Sequence, residues 1–203
     1  MLPAVRGRTS ASKAMGTAAQ RTDACRRGGA LGMLQSIALV FASLLALAAH
    51  SAEPLEHSLR ELPNARFPTA NKVVSGALDA SQIALLPEAG IRHVVNLRPP
   101  EENPTFDEAR AVEEQGLEYH ALPIKGAQSL TLGNAQALER ILEEIGDEPA
   151  LLHCSSGNRV GALIAIRAAW VQGKSPEEAL EIGERWGLTR LAQPVRALLE
   201  AQP

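Results

Sequence analysis

Aromatic side chains and excess positive charge are both scarce in this sequence of 203 residues. Phe, Trp and Tyr together make up 3% of the chain, and the formal net charge is −3 at pH 7. Few aromatics exclude the stacking platforms that hold single-stranded nucleic acid. The slightly negative charge excludes the basic footprint of nucleic-acid binding. We therefore predict no nucleic-acid partner, and a hydrophobic fraction of 45% allows one ordinary domain with an N-terminal extension.

The N-terminal part of the chain is poor in acidic residues. Asp23 is the single acid among the first thirty residues, which also contain six Lys and Arg side chains. An apolar run from Ile37 to Ala49 follows and ends in small residues near Ala52. This pattern predicts that residues 1–52 are a basic leader plus signal peptide, and that the mature protein is exported, to the periplasm or secreted. An uncleaved segment starting at Leu31 would instead tether the protein to a membrane. An organellar transit segment or a buried helix would also fit the same composition.

Cysteine is almost absent from the predicted mature chain. Cleavage near Ala52 would remove Cys25 and leave Cys154 alone, so no intramolecular disulfide can form. His93 and His120 form no ligand pair at helical or turn spacing, and one cysteine adds little to them. We predict no metal site, no cofactor and no membrane span in the mature chain.

The rest of the sequence alternates strand and helix patterns. Residues 53–70 are polar with prolines and are predicted to be a linker, and residues 71–203 are predicted to form one catalytic domain. Apolar patterns predict strands at 73–76, 91–97, 117–124 and 149–153, and helices at 81–90, 106–115, 132–145, 160–171, 175–186 and 191–201. Alternation of this kind predicts an α/β fold whose mainly parallel sheet carries helices on both faces. Ligands of such sheets bind beyond the carboxyl ends of the strands, and Cys154 lies at such an end.

The segment from His153 to Arg159 has the sequence HCSSGNR and is predicted to turn from a buried strand into a buried helix. Backbone N–H groups at the start of a helix lack intrahelical partners and can surround an anion. Gly157 allows backbone dihedrals that a Cβ would forbid. A sulfur in that cradle is favoured as the thiolate, and Arg159 matches oxyanions with a planar fork. We predict that Cys154 and Arg159 are catalytic, and that the segment between them binds the substrate through Ser155, Ser156, Gly157 and Asn158.

This loop resembles the active-site loop of the cysteine-dependent phosphatase superfamily, which includes the tyrosine and dual-specificity phosphatases. It is most similar to the phosphatase-like domain of beta-lactamase-hydrolase-like proteins, with weaker support from Val74–Gly76 and Val94–Arg98. The resemblance implies a cysteine-phosphatase-like fold and hydrolysis of phosphate monoesters, aryl esters preferred, through a phosphocysteine. It also implies that His153 shapes the loop, and that the partner is a phosphate-bearing small molecule or a phosphoprotein.

The loop departs from the phosphatase pattern at two points. Familiar tyrosine phosphatases place five residues between Cys and Arg and follow the Arg with Ser or Thr, whereas four residues intervene here and Val160 follows Arg159. The shorter loop is similar to that of rhodanese-type sulfurtransferases, which carry sulfur as a persulfide. The loop is therefore also compatible with a sulfurtransferase acting through a Cys154 persulfide, and with a catalytically weak oxyanion-binding module.

A general acid is missing from the place where the resemblance puts it. In the similar phosphatases an Asp in the loop after an earlier strand protonates the leaving group, but Lys125–Ser129 holds no carboxylate. Asp107 could serve only if its own loop folded over the site. Arg98, close to Glu101 and Glu102, is predicted to form a surface ion pair rather than to bind substrate.

Overall fold

The computed structural model describes residues 55–201, and the strands of this range form a single sheet. The strands are β1 (Arg66–Thr69), β2 (Lys72–Ser75), β3 (His93–Asn96), β4 (Glu118–Ala121) and β5 (Ala150–His153). Their spatial order is β1-β2-β5-β3-β4; β1 is antiparallel to β2, and every other neighbouring pair is parallel. The mainly parallel sheet is thus confirmed. The three inner strands, β2, β5 and β3, are buried along their whole length, as parallel strands covered on both faces must be.

Seven α-helices lie in the described range. They are α1 (Leu55–Leu59), α2 (Ala80–Ile83), α3 (Glu108–Glu113), α4 (Leu132–Ile145), α5 (Asn158–Trp170), α6 (Pro176–Arg185) and α7 (Ala192–Glu200). A capping box opens α6, because Ser175 and Glu178 each accept a backbone N–H of the other. The helix start predicted at Ser81 is one residue off, since Asp79 and not Ser81 caps α2. The Asp79 side chain bonds Gln82 N, and Ser81 only donates its hydroxyl to that carboxylate.

The helices cover both faces of the sheet, as predicted. Alternate residues of one strand enter different cores: Leu151 packs with residues of α1, α2 and α3, and Leu152 packs with residues of α4 to α7. The second core is the larger, and α5 contributes most of its buried residues. Helix α5 is therefore held in apolar surroundings along almost its whole length, which fixes its first residues relative to β5.

The structure corrects the prediction of a linker at residues 53–70. From Leu55 onward this segment forms α1 and the edge strand β1, and Leu59 and Leu62 are buried in the core beneath the sheet. Prolines and polar residues suggested a connection, but an edge strand tolerates both because only one of its sides is paired. Pro63 also accepts a hydrogen bond from Gly76 N, which ties the segment to the end of β2.

The predicted leader and signal peptide, together with Cys25, lie outside the described residues. Within residues 55–201, no helix combines the length and the apolar character needed to cross a membrane.

Candidate active site

The segment between β5 and α5 forms a tight loop at the carboxyl end of the central strand. Strand β5 ends at His153 and α5 begins at Asn158, so Cys154 to Gly157 make the turn. Gly157 has a φ of 80°, in the left-handed region, and a Cβ there would lie 3.2 Å from Val74 Cγ1. An isolated bridge between Ser156 and Gly76 holds the loop against the end of β2.

Close contact between α5 and α6 fixes the helix that follows the loop. A Cβ added to Gly161 would lie 2.1 Å from Leu188 N and 2.6 Å from Gly183 O, so only glycine fits at this crossing. The crossing is one turn beyond the loop. The backbone N–H groups that open α5 are therefore placed by packing as well as by the strand.

Cys154 is buried, with 1% of its surface exposed, and is the free cysteine of the described residues. The pKa of Arg159 is raised mainly by its hydrogen bonds to Glu102, and the neighbouring Cys154 raises it further. The loop thus brings together the predicted nucleophile and the predicted oxyanion ligand.

Glu102 binds Arg159 through both of its carboxylate oxygens. Arg159 Nη1 donates to Glu102 Oε1 at 2.6 Å, and Nη2 donates to Oε2 at 2.8 Å. Glu102 belongs to a single 3₁₀ turn, Pro100–Glu102, that follows β3. A bidentate pair of this kind is among the strongest side-chain contacts, and it is also the geometry with which arginine binds phosphate.

Two further groups occupy the guanidinium. Arg159 Nη1 also donates to the carbonyl oxygen of Ile124 at 2.7 Å, and Nη2 donates to Ser155 Oγ at 2.6 Å. The Ser155 hydroxyl in turn donates to Glu102 Oε2 at 2.7 Å. The four N–H groups of the two terminal nitrogens therefore all have partners, and an incoming oxyanion must either use Nε or replace one of them.

Glu102 is ionised under all ordinary conditions. Hydrogen bonds from Arg159 first, and then from Ser155 and Arg98, together lower its pKa from 4.5 to about 2 against the opposing effect of burial. Such a carboxyl group holds no proton to donate at neutral pH, so Glu102 does not replace the missing general acid. Arg98 forms the predicted ion pair with Glu102, Nε to Oε2 at 3.4 Å, but its side chain is 11% exposed and so does not lie on the surface.

His153 lies behind the loop in a buried contact with Glu108. His153 Nε2 is 2.6 Å from Glu108 Oε1, and the two side chains are 0% and 6% exposed. Glu108 is the first residue of α3, so this contact joins the helix on one face of the sheet to the residue before Cys154. A buried histidine held by a carboxylate has a fixed ring orientation, which suits the loop-shaping role that the resemblance implies.

The side chain of Asn158 is engaged by the C-terminal part of the chain. Asn158 Oδ1 accepts hydrogen bonds from Thr189 N at 2.8 Å, Thr189 Oγ1 at 3.1 Å and Leu191 N at 3.3 Å. Any part of Asn158 in substrate binding would therefore fall to its backbone N–H or to Nδ2 of its side chain. Ser156 and Gly157 line the turn as predicted, and their binding role stays a prediction.

No hydrogen bond or ion pair of the described residues joins Cys154 to Asp107 or to the segment Lys125–Ser129, the two places considered for a general acid. The Asp107 carboxylate caps α3 by accepting Arg110 N at 3.1 Å. It also lines a cavity of about 640 Å³ beside Glu101 and Tyr119, which neither Cys154 nor Arg159 lines. The segment Lys125–Ser129 contains a short 3₁₀ turn and no carboxylate.

Sequence reasoning missed Glu102 and Glu108 as members of the site. Both precede the loop by more than forty residues, and no motif connects them to it. The sequence indicated Glu102 only as a partner of Arg98 in a surface ion pair. For Glu108 the available signal was a charged residue at the start of a helix next to an apolar stripe, which is also the usual pattern of a solvated helix start.

The fold and the loop together define the class: residues 55–201 have the α/β fold of the cysteine-dependent phosphatases, with the cysteine at the carboxyl end of the central strand. A proposed phosphatase of the DUF442 type from Shewanella putrefaciens CN-32 superposes with a TM-score of 0.56 at 20% identity, over 72% of this chain and 97% of that one. Tk-PTP in its active form gives 0.51 at 23% identity, over 70% and 99%.

The curated relatives are similar in sequence over a shorter stretch. The "Beta-lactamase hydrolase-like protein" of Xylella fastidiosa (strain Temecula1 / ATCC 700964) is 29% identical over 112 residues, 53% of this chain, and strain 9a5c has a match of the same extent. The matched stretch spans about a quarter of each relative, 25% of its length. No protein-family model matches the chain. The predicted resemblance and the predicted fold are confirmed.

Proposed function

We propose that this domain is a cysteine-dependent phosphatase that hydrolyses phosphate monoesters, aryl esters preferred. The observation that carries the proposal is the placement of Cys154 directly after β5 and of Arg159 in the first turn of α5, at the two ends of one tight turn. The phosphatase names of its structural neighbours support it.

The chemistry follows from the groups on the loop. The Cys154 thiolate would attack phosphorus, forming an S–P bond while the ester oxygen leaves with its electron pair. Arg159 and the loop N–H groups would stabilise the three equatorial oxygens as negative charge develops on them. Water would then cleave the S–P bond of the phosphocysteine, releasing inorganic phosphate and restoring the thiolate. Ser155 would add a hydroxyl donor once its bond to Glu102 is released.

The proposed substrate is a phosphate-bearing small molecule or a phosphoprotein. We also propose that the protein acts after export, to the periplasm or outside the cell, as its N-terminal sequence predicts. Retention of the leader as a membrane tether would place the same domain at a membrane surface.

A sulfurtransferase is the second candidate, because four residues rather than five separate Cys154 from Arg159. In that reaction the Cys154 thiolate would attack the sulfane sulfur of a donor such as thiosulfate, breaking its S–S bond and releasing sulfite, and the resulting persulfide would pass its outer sulfur to cyanide, giving thiocyanate and restoring the thiolate. The same cradle of N–H groups would hold the anionic donor. The third candidate function is an oxyanion-binding module without turnover.

One side-by-side assay separates these functions. The purified full chain and its Cys154→Ser variant are given an aryl phosphate, or thiosulfate with cyanide, and the products and the mass of the protein are measured. Phosphate release with a transient phosphate adduct, both lost in the variant, supports the proposal. Thiocyanate formation with a gain of one sulfur on Cys154 would establish the second candidate. Binding of phosphate without either product would leave the binding module.

A further inference from the structure

The structure places two histidines and a glutamate together at the amino-terminal ends of β3 and β4, the end of the sheet opposite to Cys154. His93 begins β3 and Glu118 begins β4, and the two residues are in register. His120 lies two residues beyond Glu118 and therefore on the same face of the sheet. Ala150, the partner of His93 on β5, is four residues before Cys154, about 13 Å along the strand.

The distances within this cluster are those of a metal coordination shell. His93 Nδ1 lies 3.3 Å from His120 Nε2 and 3.4 Å from Glu118 Oε2, and one ligand atom from each of the three residues lies within 4.8 Å of the others. Ligands about 2.0–2.1 Å from a tetrahedral zinc ion are separated by roughly 3.3 Å. A direct hydrogen bond between the two rings is the competing explanation, but 3.3 Å exceeds the usual range of about 2.7–3.2 Å.

The carboxylate of Glu148 lies next to His93, the most buried of the three residues. The His93 side chain is 6% exposed, and its other ring nitrogen, Nε2, lies 3.5 Å from Glu148 Oε2. Histidines that bind a metal through one nitrogen commonly direct the other N–H to a carboxylate, which fixes the ring and increases its basicity.

The surroundings suit a divalent cation. Glu118 is 69% exposed, which leaves an open approach from solvent and room for water as a fourth ligand.

In contrast to the sequence-based prediction of no metal site, we propose that His93, His120 and Glu118 form a binding site for zinc or a similar divalent transition-metal ion. Two imidazoles and one carboxylate are a donor set that zinc accepts, with the fourth position left to water. The ion would join β3 to β4 at the end of the sheet remote from the candidate active site. Because the unfolded chain cannot hold these ligands together, binding stabilises the fold.

The test is a titration of the full chain with Co²⁺, followed by its visible absorption, and then displacement with Zn²⁺ and thermal unfolding. We expect one ion per chain, the intense absorption of tetrahedral Co²⁺, and a higher Tm with Zn²⁺. Glu118→Gln and His120→Gln should each weaken binding at least tenfold. Glu118 is exposed and His120 is half-buried, so neither substitution removes a residue on which the core depends.

Two controls locate the ion. His57→Gln changes a histidine on α1 outside the cluster, and Cys154→Ser removes the thiol of the described residues. Both variants should bind Co²⁺ as the parent does. Absence of binding by the parent, unchanged affinity in Glu118→Gln and His120→Gln, or loss of binding in Cys154→Ser would each overturn the proposal.

Discussion

Glu102 occupies Arg159 in the manner of a substrate oxyanion, with two carboxylate oxygens 2.6 and 2.8 Å from the two terminal nitrogens of the guanidinium. The same carboxylate accepts the Ser155 hydroxyl at 2.7 Å. In this arrangement Glu102 both orients the arginine and competes for it. A dianionic phosphate that enters the loop must displace at least part of this contact or remain restricted to Nε of Arg159.

Removing the charge of Glu102 should strengthen oxyanion binding. In Glu102→Gln the arginine keeps a neutral partner, whereas the competing carboxylate and its repulsion of the substrate are lost. We expect the inhibition constant for vanadate to fall several-fold. The matched control is Glu101→Gln, because Glu101 is the preceding residue and pairs instead with Lys125 at 2.7 Å. Equal inhibition constants in the parent and in Glu102→Gln would show that Glu102 does not compete.

The Glu102 contact should also contribute to acid sensitivity. Arg159 holds the pKa of Glu102 at about 2 in the folded state, below the ordinary value of 4.5. A lowered folded-state pKa stabilises the protein fully above about pH 4.5, and that stabilisation is lost as the pH falls towards 2. Urea unfolding at a series of pH values should therefore show a shallower loss of stability below about pH 4.5 in Glu102→Gln than in the parent. Parallel curves would contradict the pairing.

Arg159→Lys should keep a positive charge but lose the planar fork that binds two oxygens at once. We expect clearly weaker binding of phosphate and vanadate, with a circular dichroism spectrum like that of the parent. Isothermal titration calorimetry measures the affinity, and Tm is recorded beside it. Undiminished affinity in a folded Arg159→Lys variant would assign the arginine a structural role only.

The buried pair of His153 and Glu108 should matter for stability. Replacing Glu108 by Ala leaves a buried histidine without its partner, and leaving a buried polar group unsatisfied in this way costs about 1–3 kcal/mol. Urea denaturation measures the loss. Glu113→Ala, on the same helix α3 but exposed, is the control and should change stability by less than about 0.5 kcal/mol. Similar losses in the two variants would show that His153 does not depend on Glu108.

The absence of a general acid should govern substrate choice. Lys125–Ser129 holds no carboxylate, and Glu102 is ionised, so the leaving group must depart unprotonated. Aryl phosphates should react much faster than alkyl phosphates, since proton donation is typically worth about 10²- to 10⁴-fold. With Val160 in place of a hydroxyl residue, breakdown of the phosphocysteine should be slow, and stopped-flow traces should show a burst. Fast turnover without a burst, or equal rates on both ester classes, would require an acid, and Asp107 would be the first residue to replace.

The sequence predicted the elements best where periodicity and caps agree. The helix predicted at 132–145 matches α4 at both ends, because an apolar stripe runs between a Thr cap and Gly146. Strand β5 was also predicted closely, since a fully apolar run precedes the loop. The edge strand β1 was missed because its side chains are only partly buried and show no alternation, and its pairing with β2 is what makes it a strand.

The candidate site was predictable only where its residues are contiguous. Cys154 and Arg159 share one loop, so their meeting follows from local geometry. Glu102 and Glu108 approach the loop because β3 lies beside β5 in the sheet, a long-range pairing that no local pattern encodes. The cluster of His93, Glu118 and His120 depends in the same way on the register of β3 with β4. With that register in hand, the two-residue period of a strand would have placed all three on one face.

The hydrogen bonds of Asn158 make the first turn of α5 depend on a distant part of the chain. Asn158 Oδ1 is satisfied by Thr189 and Leu191, which lie between α6 and α7. Neither residue belongs to the loop that would hold phosphate, and yet their backbone N–H groups fix the residue next to Arg159. The connection between α6 and α7 therefore supports the loop that would bind the anion. A chain cut before Thr189 would retain every residue of the loop and lose the support that keeps the arginine in place.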